Sequence, residues 1–275
     1  MKRLITTAIL CGILESIYAQ NEKTDTLTKI KADTTIVKRH GFKIRIGSGT
    51  DNAIIHSKKG ARKVERGEPG FTFGLTFTNL HLGFATLLDN GSFTLSPQNE
   101  FLDYRQIKTS NVGFDLVKFG YRFNNRFKVT LDGGFDWTLI RLKKNIDIVP
   151  DVPALTFVNS INHFNKNRFS SNYFVMPLSF DIHSKEYSNG RRFHFIFGPE
   201  AGFLIDGMQK QISDEHGKTK NFNDFHFTRF EYAGFARFLY GSSGIYFKYN
   251  FNDMFENSPA QKGLKTLSFG LILGF

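Results

Sequence analysis

The last twelve residues, 264–275, alternate with a two-residue period: Leu267, Phe269, Leu271, Leu273 and Phe275 fall on one face, Thr266, Ser268, Gly270, Ile272 and Gly274 on the other. Successive side chains of a strand point to opposite sides, so this stretch predicts a strand that is apolar on one side and small or polar on the other. The same period runs from Gly41 onward. Phe42, Ile44 and Ile46 alternate with Lys43, Arg45 and Gly47; after a polar stretch, Phe71, Phe73, Leu75 and Phe77 alternate with Thr72, Gly74, Thr76 and Thr78. At Thr78 and Asn79 the phase flips, which predicts a tight turn into a third strand carrying Leu80, Leu82 and Phe84. Within 111–123, Phe114 and Leu116 hold one phase while Val117, Phe119, Tyr121 and Phe123 hold the other, so a bulge is expected near Leu116. Further strands are predicted over 126–140, 171–182, 192–206, 225–239 and 245–251, the first of these setting Phe127, Val129, Leu131, Phe135, Trp137 and Leu139 against Lys128, Thr130, Asp132, Asp136 and Thr138.

Connection lengths sharpen the picture. Those at 78–79, 124–125, 183–191 and 240–244 are short, those at 50–69, 89–110, 141–170, 207–224 and 252–263 are long, and the two kinds alternate. Short turns on one side and long loops on the other are the habit of transmembrane barrels, whose two ends lie in the periplasm. The expectation is therefore an all-β fold: a closed antiparallel up-and-down transmembrane β-barrel of about ten strands. Eight is the fallback if the second and third strands are misread, and closure is expected between 264–275 and 42–49.

Alternation alone does not say whether the apolar face looks into a core or out to lipid, and a soluble lipocalin-like barrel shares it. The opposite face decides. It carries Lys43, Arg45, Lys128, Asp132, Asp136, Asp181, Arg192, Glu200, Arg229, Glu231, Arg237 and Lys248, mixed in sign and able to pair across a narrow lumen. Phe127, Trp137, Phe193, Tyr232, Tyr240 and Tyr249 fall near strand ends, where interfacial aromatic girdles belong.

Composition agrees with a barrel. There are 32 Phe and 25 Gly in 275 residues. Mean hydropathy is only -0.27, and no helix-length apolar run follows the first twenty residues. Those first residues read as a cleavable signal: Lys2 and Arg3, an apolar run from Leu4 to Leu14, and a cut after Ala19. Residues 20–40 are expected to be a flexible periplasmic segment and 41–275 the barrel. The single cysteine, Cys11, would leave with the signal, so export without disulfides points to the envelope of a Gram-negative bacterium. The formal charge is +11, and no nucleic-acid recognition motif accompanies it. Anionic outer-membrane lipid, lipopolysaccharide above all, is the expected counter-ion, with Lys58, Lys59, Arg62, Lys63 and Arg66 as candidate glycolipid ligands.

Over 41–275 the chain resembles bacterial outer-membrane β-barrel proteins. Ser268, Gly270, Leu273 and Phe275 match the carboxy-terminal signal read by the barrel-assembly machinery. Within that class it is similar to PorT-like barrels, in 173–178 (Tyr-Phe-Val-Met-Pro-Leu), 197–202 (Phe-Gly-Pro-Glu-Ala-Gly) and 246–253. That resemblance implies an outer-membrane location, an envelope protein partner and, by analogy with some members, a secretion-associated role.

Chemistry is sparse. No phosphate-binding glycine loop, zinc helix, cysteine pair or serine elbow is present, so neither cofactor nor metal is expected. Asp206, Asp224 and His226 are the candidates for a water-activating rim site, which would make the protein an outer-membrane hydrolase acting on peptide or lipid. A non-enzymatic barrel that scaffolds the envelope or docks a partner through its loops is the leading expectation, a narrow channel the third.

Overall fold

The computed structural model describes residues 36–39, 42–45, 69–188 and 190–274. The chain divides into Met1–Asp33 and Thr34–Phe275, and all described residues belong to the second unit. The signal peptide, the basic stretch with Lys58, Lys59, Arg62, Lys63 and Arg66, and the terminal Phe275 lie outside the described residues.

Thirteen strands follow in order: β1 (Ile36–Arg39), β2 (Phe42–Arg45), β3 (Gly70–Asp89), β4 (Ser110–Arg122), β5 (Phe127–Leu142), β6 (Ile146–Val149), β7 (Thr156–Asn159), β8 (Lys166–His183), β9 (Phe193–Ser213), β10 (Gly217–Asn223), β11 (Phe230–Tyr240), β12 (Ser243–Asn250) and β13 (Leu264–Leu273). Eight of them close a barrel in the antiparallel cycle β3-β4-β5-β8-β9-β11-β12-β13 and back to β3. The ten expected strands become eight for two reasons. The phase flip at Asn79 is no turn: β3 continues through it, with register shifts against β4 between Leu75 and His81 and a positive φ of 54° at Asn79. A flip of phase is produced equally by a reversal and by an extra residue absorbed into a continuing strand. Nor does β2, the described part of the stretch 42–49, close the barrel. β13 pairs with β3, Leu264 opposite Asp89 through Leu273 opposite Leu80, while β2 lies parallel to Phe71–Phe73, within the part of β3 that β13 does not reach. The bulge expected near Leu116 is present, between Asp115 and Val117.

The connections keep their alternation. At one end 123–126, 184–192 and 241–242 are short; at the other, 90–109, 143–165, 214–229 and 251–263 carry the β6/β7 hairpin, β10 and the 3₁₀ turns. Several stretches expected to be loop are strand: β8 begins at Lys166 and β9 runs on to Ser213, paired with β10.

The outside of the wall is apolar. Phe71, Leu75, Leu131, Phe197, Phe238 and Leu271 are among its exposed side chains, Leu271 at 65%. On β9 the outward apolar residues run from Phe193 to Ile205, about 30 Å along the axis at ordinary strand rise and tilt, the hydrocarbon thickness of a bilayer. Aromatic pairs ring the short-turn end, with Tyr121 against Phe71 and Phe123 (both 4.8 Å) and Phe193 against Tyr240 (4.7 Å). A wall apolar outside and polar within is that of a transmembrane barrel.

Inside, the charges pair. Asp136 accepts from Lys248 (2.6 Å) and Asn111 (2.6 Å) and meets His81 Nε2 at 3.0 Å. Lys248 also reaches Glu200 (3.3 Å), Tyr246 donates to Asn111 (2.8 Å), and Asp115 holds Asn79 (2.9 Å) and Arg237 (3.5 Å). Lys128, Asp132, Asp181 and Glu231 are buried with them, as the alternation predicts. Two expected lumen residues are not: Arg192 and Arg229 sit at strand ends, the first half-buried and the second exposed, on Glu186 (2.8 Å) and Glu256 (3.2 Å). The side chains of Lys43 and Arg45 lie outside the described ones.

The long-loop end is closed by an apolar plug. Phe101, Leu102, Ile146, Ile148, Phe225, Phe227 and Phe255 from the connections pack on Leu87, Ile140, Phe169 and Leu264 of the wall. Phe169 stacks on Phe227 at 4.7 Å, and Gln209 on the inner wall takes the N–H of Ile148 (2.9 Å) while donating to Ile146 O (3.0 Å). With a charge-paired waist below an apolar stopper, ion conductance across planar bilayers should stay at the bilayer baseline; discrete single-channel steps would contradict this packing.

A candidate anion-binding row

Above the apolar belt, four outward cations stand side by side. The register places Arg141 of β5 opposite Arg168 of β8, Arg168 opposite Lys210 of β9, and Lys210 opposite Lys220 of β10. At the usual interstrand spacing the row spans about 14 Å. Lys166 and Lys218 flank it, each opposite Ile212. The local pattern explains the placement: inward positions on these strands are Leu142, Phe169, Gln209 and Gln211, so the intervening residues must face out.

Like charges opposed on neighbouring strands repel. Among the described residues no carboxylate pairs with any of the six. Arg141 gives Nη2 to the carbonyl of Asn165, but its Nε, and the Nε of Arg168, are buried with no hydrogen-bond partner among the described residues. Lys218, then partial burial, then Arg168 and Lys220 hold the Lys210 ammonium below its ordinary pKa; burial, then Arg168 and Lys210, do the same to Lys166. A protein surface seldom concentrates unneutralised cations and orphaned guanidinium donors together, and both would be satisfied by ligand oxygens carrying negative charge.

The rim candidates are dispersed by comparison. Asp206 stands opposite Asn172. Asp224 is exposed, its Oδ1 accepting the backbone N–H of His226 within one turn (3.2 Å), and faces Arg229 at 3.9 Å. Among the described residues they do not converge; the one group of three metal-capable side chains is Asp181, His183 and His194 at the short-turn end. Of the carboxy-terminal signal, Ser268 and Gly270 point inward, Leu273 outward.

Neither the cation row nor the His-Asp group is apparent from one strand at a time. Arg141, Arg168 and Lys210 fall in stretches expected to be loop, and only interstrand register brings them together.

No family model matches the chain, the PorT-like family included, and no curated protein matches its sequence. Among solved structures it is similar to Ail, the attachment invasion locus protein of Yersinia pestis, at 12% identity over 76% of this chain and 97% of that one, with a TM-score of 0.33. The same protein in complex with the heparin analogue sucrose octasulfate aligns at 15% identity over the same shares, with a TM-score of 0.31.

Proposed function

We propose that this chain is a non-enzymatic barrel of the bacterial outer membrane whose cation row holds the phosphates of anionic glycolipid, lipopolysaccharide in the first place, and so anchors the barrel in the outer leaflet. In this reading the short-turn end and both chain termini face the periplasm, the long loops face outward, and the barrel-assembly machinery acts on β13. The observation that carries it is the row Arg141, Arg168, Lys210 and Lys220, unpaired with any carboxylate among the described residues and set above the apolar belt. A headgroup carrying more than one phosphate would bridge neighbouring cations and relieve their repulsion. The stretch with Lys58, Lys59, Arg62, Lys63 and Arg66 would add to the same attraction. A secretion-associated role and an envelope protein partner rest on likeness to PorT-like barrels, and an envelope partner would meet the loop tips.

The test measures how much lipid A, phosphorylated or enzymatically dephosphorylated, stays with the folded barrel after washing in detergent. The quadruple variant R141Q/R168Q/K210Q/K220Q should retain phosphorylated lipid A at least about tenfold less well, the loss of roughly one charge-assisted contact's energy. In lipid-free detergent it should unfold at an equal or higher temperature than the natural protein, because removing opposed like charges removes repulsion. Equal retention of the dephosphorylated lipid would sink the proposal.

A further inference from the structure

Three groups capable of binding a metal meet at the short-turn end of β8 and β9. Asp181 and His183 lie two residues apart on β8 and so share the inward face; His194 is directly opposite His183 on β9. Asp181 Oδ1 is 3.1 Å from His194 Nδ1 and 3.7 Å from His183 Nδ1, and the two imidazole centroids are 5.1 Å apart. One ligand atom from each of the three falls within 4.8 Å of the others.

A hydrogen bond between Asp181 and His194 accounts for only part of this arrangement. His183 is 4% exposed, and its Nδ1, turned toward Asp181 beyond hydrogen-bond reach, has no hydrogen-bond partner among the described residues. A buried imidazole nitrogen left unbonded costs free energy, and a cation placed among the three atoms would satisfy it. Donor atoms at the corners of a tetrahedron around zinc, bonded at 2.0–2.1 Å, are about 3.3 Å from one another, between the two distances that Asp181 Oδ1 already makes.

We propose that Asp181, His183 and His194 bind one divalent ion of zinc-like preference, two imidazoles and one carboxylate leaving a fourth position for water. Imidazole donors disfavour calcium and magnesium, which take oxygen. His194 is only part-buried, and it and His183 border an open hollow of about 800 Å³ at the barrel rim, which gives the ion a path in. Lys128 stands opposite Asp181 on β5, so the site carries a nearby positive charge and its affinity is set below that of an isolated triad. With two ligands on β8 and one on β9, a bound ion would cross-link the two strands beside their connecting turn.

The experiment titrates zinc chloride into the folded, tag-free barrel in detergent, with unboiled gel mobility reporting the fold of every variant. One saturable site per chain is expected. H194Q, at a part-exposed rim position where folding should survive, and H183Q should each weaken it by more than about 100-fold. The control H216Q/H226Q should leave it unchanged. Cobalt in place of zinc should give visible absorption of four- or five-coordinate intensity, absent in H194Q. No saturable zinc site in the natural protein, or a site that survives H194Q, would overturn the proposal; so would loss of the site in the control.

Discussion

Replacing Asp136 by Ala should destabilise the folded barrel by about 3–5 kcal/mol, the usual cost of stripping one partner from a buried charge pair. The carboxylate sits at the waist of the lumen and is 2% exposed. Its two oxygens receive Lys248, His81 and Asn111, and Asn111 in turn receives the Tyr246 hydroxyl, so one deletion unsettles three strands beyond its own. K248M should cost a comparable amount, because it leaves Asp136 and Glu200 in a low-dielectric interior without the cation they share. The double variant D136L/K248M should lose clearly less than the two single losses added together, the mark of groups that act as one unit. Urea unfolding in detergent, followed by the loss of heat-modifiable gel mobility, gives all three values. Strict additivity would mean that the waist is solvated and its pairs independent.

Gly270→Val should abolish the folded barrel altogether. Gly270 faces Gly83 across the closing seam of β13 and β3, and a Cβ at position 270 would run into the Gly83 backbone and the Leu82 carbonyl, neither of which yields. The reverse holds at Gly83, where a Cβ would strike Phe269 O, and the Tyr246 hydroxyl fills the remaining space. The seam therefore closes only with two glycines in register. Gly74→Ala is the matched control: its Cβ would find Lys118 Cβ at 4.0 Å, an ordinary contact, and the barrel should form in normal yield. Outer-membrane fractions and unboiled gels report both. Normal yield of folded Gly270→Val would show that the seam has slack. This gives the glycine of the carboxy-terminal signal a packing reason beside any role in recognition by the assembly machinery.

What could be seen in the sequence depended on how local the signal was. The inward set Lys128, Asp132, Asp136, Asp181, Glu200, Glu231, Arg237 and Lys248 followed from a period of two and from the mixed signs on its polar face, and all are buried. Arg192 and Arg229 obey the same period but sit where strands end, so water reaches them; alternation gives a direction and no depth. Asn79 misled because a turn and a bulge both invert the phase, and the strand count fell by one with it; the other strand was lost because β13 closes on β3 instead of on the stretch at Phe42. The bulge at Leu116 was legible because both halves of its strand were long enough to hold a phase. The cation row and the His-Asp group belong to a different order of information. Each requires the relative register of two to four strands, and a slip of one residue would turn every member to the other face.

The apolar plug bears on how the exterior of this barrel can change over generations. Side chains from all four long connections meet in one cluster, with Leu102, Ile146, Phe225 and Met254 each drawn from a different one. Exchange of a whole connection would unseat the other three, so loops cannot be traded piecemeal among related barrels. Change is thereby confined to positions clear of the plug, such as Ile107 at 87% and Ile161 at 99% exposed.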